Sequence, residues 1–89
     1  MKFLITMNMP SRNNPVHQII CEYPAKGLAD FCDALEKREF TIVEEFYKKT
    51  DPQNNSYYES QGLTSVNYRY VGKVKELSYR NNNSNKYGD

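Results

Sequence analysis

Only one stretch of this 89-residue chain repeats its apolar residues at helical spacing. Leu28, Phe31, Cys32 and Leu35 fall at i, i+3, i+4 and i+7, the single stripe of an amphipathic helix, while Asp30, Asp33 and Lys37 take the opposite face. Pro24 precedes it, and Gly27 can serve as a weak N-cap. Asp30 near the positive end of the helix dipole, and Lys37 and Arg38 near the negative end, suit that direction. A helix of about three turns is marginal alone, so its stripe must be covered by something else. The rest of the chain offers strands, turns and a polar tail, and no second helix.

Phe3, Ile5, Met7 and Met9 alternate with Lys2, Thr6 and Asn8, with Leu4 as the one exception, until Pro10 stops the pairing. Residues 11–15 are dense in turn formers. They lead into a second strand over 16–23, antiparallel to the first, with Ile19, Ile20 and Cys21 at its apolar centre. After the helix, residues 40–47 are β-branched and aromatic and predict a third strand, with Phe40, Ile42 and Phe46 on one face and Glu44 as that face's exception. Residues 48–56 contain Asp51-Pro52 and Asn54-Asn55 and predict a solvent loop. Tyr57-Tyr58-Glu59 predicts a short strand ending before Gly62. Residues 63–66 and 70–77 predict two more extended pieces, parted near Asn67 by a bulge or tight turn, with Gly72 marking a bend.

The expected fold is therefore α+β: a small antiparallel sheet of about five strands with one helix packed on it, in the order β-β-α-β-β-β. Residues 1–79 are expected to form a single domain. Residues 80–89, polar and rich in Asn, are expected to remain disordered.

Composition narrows the chemistry. Twelve basic residues against eleven acidic ones leave a net charge of +1, without the broad positive field of a protein that binds nucleic acid by counterion release. Eight Tyr, four Phe and no Trp mean that much of the core must be aromatic. The opening apolar run breaks at Asn8 and Pro10, too short for an export signal or a membrane span, so a cytoplasmic protein with no membrane partner is expected. Cys21 and Cys32 match no zinc or redox spacing and are expected to be reduced and buried.

One His and two Cys fall short of the ligands that zinc usually takes, so neither metal nor cofactor is expected. His17 is read as filling a strand position, and a Cys-His nucleophile with Cys21 or Cys32 ranks far behind that reading. Glu44 and Glu45 are adjacent on a strand and so face opposite ways, which excludes a general acid/base pair between them. The four glycines are isolated and form no phosphate-cradling loop. The segment with most functional colour is Tyr68, Arg69, Tyr70, Lys73 and Lys75, where aromatics and cations interleave as on single-stranded nucleic-acid platforms. The same pattern also describes a one-sided strand with a solvated face.

Two stretches, Met1-Lys2-Phe3-Leu4-Ile5-Thr6-Met7-Asn8-Met9-Pro10-Ser11 and Gly62-Leu63-Thr64-Ser65-Val66-Asn67-Tyr68-Arg69-Tyr70-Val71-Gly72-Lys73-Val74, resemble small uncharacterised accessory proteins of tailed phages, particularly myoviruses of marine cyanobacteria. The resemblance implies expression inside an infected bacterial cell and brings no activity, cofactor or site. The resulting expectation is a non-enzymatic protein-interaction module, with a protein partner and self-association as a homodimer. Single-stranded RNA or DNA binding through the Tyr/Arg/Lys segment is the alternative.

Overall fold

The structure, a computed structural model, describes residues 1–9, 13 and 16–77, so the tail expected over residues 80–89 lies outside the described residues. Five strands and one helix follow in the order β1 (Lys2–Asn8), β2 (Val16–Glu22), α1 (Leu28–Glu36), β3 (Phe40–Thr50), β4 (Ser56–Asn67) and β5 (Val71–Glu76). The α+β architecture and the β-β-α-β-β-β order are as the sequence predicts. All strands join one antiparallel sheet, arranged β4-β3-β2-β1-β5.

That arrangement forces the sheet to curl. β4 and β5 occupy opposite edges, yet only a 3-10 turn, Tyr68–Tyr70, connects them. Asn67 sits opposite Phe40, whereas Val71 sits opposite Met7, which in turn pairs with His17. Those two levels lie on opposite sides of the Glu22–Glu44 rung. In a flat sheet Asn67 and Val71 would be ~30 Å apart along the strand direction alone, about twice what the link between them can span fully extended. Coiling the sheet with a stagger between its edges, the geometry of an incomplete barrel, removes the conflict. The turn is anchored by the Tyr68 amide, which donates to the Glu39 carbonyl at 2.9 Å, and by the Asn67 side chain, which accepts from the Arg69 amide at 2.9 Å.

The concave face holds the core: Phe3, Ile5 and Met7 from β1, Ile19 and Cys21 from β2, Val43 from β3 and Val66 from β4, with Phe31 and Leu35 of the helix packed against them. Phe3 and Phe31 are both fully buried, with ring centroids 4.2 Å apart, and stack at 21°. Only this half of the predicted helical stripe is buried; Cys32 is half-buried and Leu28 is exposed. Two carboxylates satisfy amides at the start of the helix. Asp30 accepts from the Lys26 amide at 2.9 Å, and Glu76 reaches from β5 to accept from the Leu28 amide at 3.0 Å.

Two sequence readings change. The short strand at 57–59 and the extended piece at 63–66 are one strand, β4, bent by a bulge where the β3–β4 register shifts between Glu45 and Phe46. Gly62 lies at this bulge with φ +92°. β3 likewise runs on to Thr50, so the predicted solvent loop shrinks to its tip, where the Asp51 carboxylate accepts from the Gln53 and Asn55 amides. The second change concerns β3's faces. The side bearing Phe40, Ile42 and Phe46 turns to the convex surface, while Thr41 and Val43 enter the core. Gly72 does mark a bend, because the β1–β5 register shifts beside it.

Candidate functional site

The interleaved Tyr/Arg/Lys segment does not form one extended platform. Tyr68, Arg69 and Tyr70 make the 3-10 turn, and only Lys73 and Lys75 lie on a strand. Lys73 pairs opposite Thr6 and Lys75 opposite Leu4, which puts both ammonium groups on the convex face. Tyr70 turns the other way and packs against the core, while Tyr68 stays exposed near the helix beside Cys32. The structure therefore sends the five residues to different surfaces.

His17 and Cys21 share the concave side of β2, but they are four residue steps, ~13 Å, apart along the strand. Cys21 is fully buried, and its thiol is pushed from an ordinary 9.0 to about 12, first by burial, then by the nearby Glu22 carboxylate, with Glu45 adding to the effect and the N-terminal ammonium opposing it. At neutral pH it is a protonated thiol. Among the described residues no group of three or more His, Cys, Asp or Glu side chains could hold a metal ion.

Glu44 and Glu45 point to opposite faces, as strand alternation requires. Glu44 on the convex side accepts from the Ser60 hydroxyl at 2.5 Å. Glu45, half-buried, lines a cleft of about 350 Å³ on the concave side with Met7, Met9, His17, Ile19 and Tyr70. Sequence reading discounted this residue, although a carboxylate on the same face as Thr41 and Val43 is the signal that the concave side opens at that point.

Two further features come from the pairing. The β2–β3 ladder covers only Ile20–Phe46, Cys21–Glu45 and Glu22–Glu44. Beyond Phe46 the β3–β4 hairpin projects as an arm, paired only with itself. Lys49 and Glu59 form an ion pair on it at 2.6 Å, which holds the Lys49 ammonium above its ordinary range and the Glu59 carboxyl below. The base of the arm is pinned by Lys2, whose Nζ lies 4.3 Å from the Phe46 ring centroid and 5.2 Å from that of Tyr58, and donates to Glu22 at 3.1 Å. Glu22 also receives the N-terminal ammonium of Met1.

The outer rim of β4 is the second feature. β4 is twelve residues long, ends the sheet, and carries Glu59 as its one charged side chain. Beside it on the convex face lie Leu63, 77% exposed, and its diagonal neighbour Ile42, 57% exposed, with Phe40 at 52% continuing the patch. The opposite edge, β5, has six residues, three of them charged: Lys73, Lys75 and Glu76. Charge and shortness protect β5 from edge pairing, and β4 lacks both.

No family model, curated protein or solved structure matches this chain. No helix among the described residues is long and apolar enough to cross a membrane.

Proposed function

We propose that the protein is a non-enzymatic interaction module that binds an extended segment of a protein partner by strand addition along β4. One observation carries this reading: a long edge strand with a single charged residue, bordered by the exposed apolar patch of Phe40, Ile42 and Leu63. Main-chain hydrogen bonds to the rim supply affinity, and alternate side chains of the guest cover the patch and supply specificity. The phage-like resemblance of residues 1–11 and 62–74 supports a cytoplasmic accessory protein whose partner is a host or viral protein. A second copy of the chain offers the same edge, so self-pairing belongs to the same chemistry.

Affinity capture from bacterial lysate, in parallel with and without nuclease, tests this. A protein retained after nuclease treatment and lost with the double variant Ile42→Lys/Leu63→Lys is the expected result. Capture that vanishes on nuclease treatment would transfer the function to single-stranded nucleic acid and to Tyr68, Arg69, Tyr70, Lys73 and Lys75. Light scattering at high concentration separates self-pairing from a foreign partner.

A further inference from the structure

The helix fills only part of the concave face, and none of its residues lines the cleft beside it. The cleft floor is apolar, built from Met7 and Ile19, both buried, with Met9 and Tyr70 at its sides and the polar Thr64, Ser65 and Asn67 of β4 along the remaining wall. Its carboxylate, Glu45, stands among these groups with no ion pair or hydrogen bond to any described residue. The adjacent Glu44 has the Ser60 hydroxyl. A negative charge held against apolar walls acts through a lower effective dielectric than one on open surface, so an opposite charge placed beside it gains more. The cleft volume, about 350 Å³, lies at the small end of ligand sites and suits a single-ring or short-chain compound.

We propose that this cleft binds an organic cation, an ammonium or guanidinium group on an apolar stem, with Glu45 as its counter-charge. The stem lies on the thioethers of Met7 and Met9, groups that adapt their shape to a guest. The Tyr70 ring adds an electron-rich surface for the cation. His17 stands at the mouth. One carboxylate with no second ligand does not suit a bare metal ion, and the apolar floor does not suit a hydrated one. The cleft also takes Thr64 and Asn67 from β4 and Phe40 from the patch beside it, so it adjoins the β4 edge, while its counter-charge, Glu45, belongs to β3.

The chemistry can arrive free or on a protein, as a small amine or as a Lys side chain. Titration of the ¹⁵N-labelled full chain with phenethylammonium, its neutral isostere phenethyl alcohol, and N-acetyl-lysine N-methylamide covers both sources. Saturable shifts at Ile19, Glu45 and Tyr70 are expected, with the ammonium bound about tenfold more tightly than the alcohol, the scale of one charge-assisted contact. Glu45→Gln should bring the two ligands level, and Glu44→Gln, on the opposite face, should leave the difference intact. Tighter binding of the lysine derivative than of phenethylammonium assigns the cation to a protein side chain, and the reverse assigns it to a free amine. Equal binding of ammonium and alcohol to the native chain, or a preference that survives Glu45→Gln in a folded variant, overturns the proposal. A well-dispersed spectrum of Glu45→Gln establishes that it is folded, and Tyr70→Leu provides a second variant expected to weaken the cation more than the alcohol.

Discussion

Ile20 of β2 faces Phe46 of β3 in the last rung that joins the two halves of the sheet. Past it, β3 pairs with β4 alone and is exposed, whereas Thr41 and Val43, which also pair only with β4, are buried in the core. Two-stranded hairpins are barely stable in water, so the arm must open locally at less cost than the rest of β3. Hydrogen exchange is expected to be faster at the amides of Tyr47–Thr50 that bond to β4 than at those of Thr41–Val43. Equal protection on both sides of Phe46 would mean that something else steadies the arm.

Thr41 occupies a core position and is 2% exposed, yet its hydroxyl has no hydrogen-bond partner among the described residues. Val has nearly the same shape without the buried polar group. Thr41→Val is expected to raise stability by about 1 kcal/mol, read from the urea midpoint. Destabilisation instead would reveal a partner for the hydroxyl.

At the β4 bulge, Gly62 has φ +92° and open space where a Cβ would lie. The cost of Gly62→Ala is therefore one of backbone conformation alone, about 1 to 2 kcal/mol. Gly72 differs, since its Cβ would meet the Thr6 carbonyl oxygen at an ordinary 3.5 Å. Gly72→Ala should stay within about 0.5 kcal/mol of the native chain. Chemical denaturation of the pair decides whether the positive φ, rather than the mere presence of a glycine, sets the bulge.

The Cys21 thiol gives the fold a dependence on alkaline pH. Unfolded, it loses its proton near its ordinary 9.0; folded, only near 12. The stabilisation that follows is complete below the unfolded value and is lost as pH rises from one to the other, by up to about 1.4 kcal/mol per pH unit. The stability gap between the native chain and Cys21→Ala should therefore narrow steadily over that window. A constant gap would place the thiol in contact with solvent.

The helix and the first two strands are legible in the sequence because their patterns are local: Leu28, Phe31 and Leu35 share one helical face, and Phe3, Ile5 and Met7 one strand face. β3 is legible as a strand but not in its orientation. Phe40, Ile42 and Phe46 are more apolar than Thr41, Val43 and Glu45, and only the attachment of β4 and the helix decides which face is enclosed. The Tyr/Arg/Lys segment reads as continuous because no Pro or Gly interrupts Tyr68–Tyr70; the turn arises from the need to join two distant edges. Glu45 is hidden for a related reason, since a cleft is made by curvature that no single segment encodes.

That same short link between β4 and β5 sets an order of events during synthesis. β1, whose Phe3, Ile5 and Met7 form much of the core, receives its second neighbour only when Val71–Glu76 is available, almost the whole described chain later. Closing so long a loop comes late in folding, and until then the strand that contributes most residues to the core presents an open edge. A nascent or refolding chain thus passes through a stage in which the free edge of β1 is open to a strand of another molecule. Loss of the last strand, by truncation or by a nonsense change ahead of Val71, is expected to turn a self-contained sheet into an adhesive one.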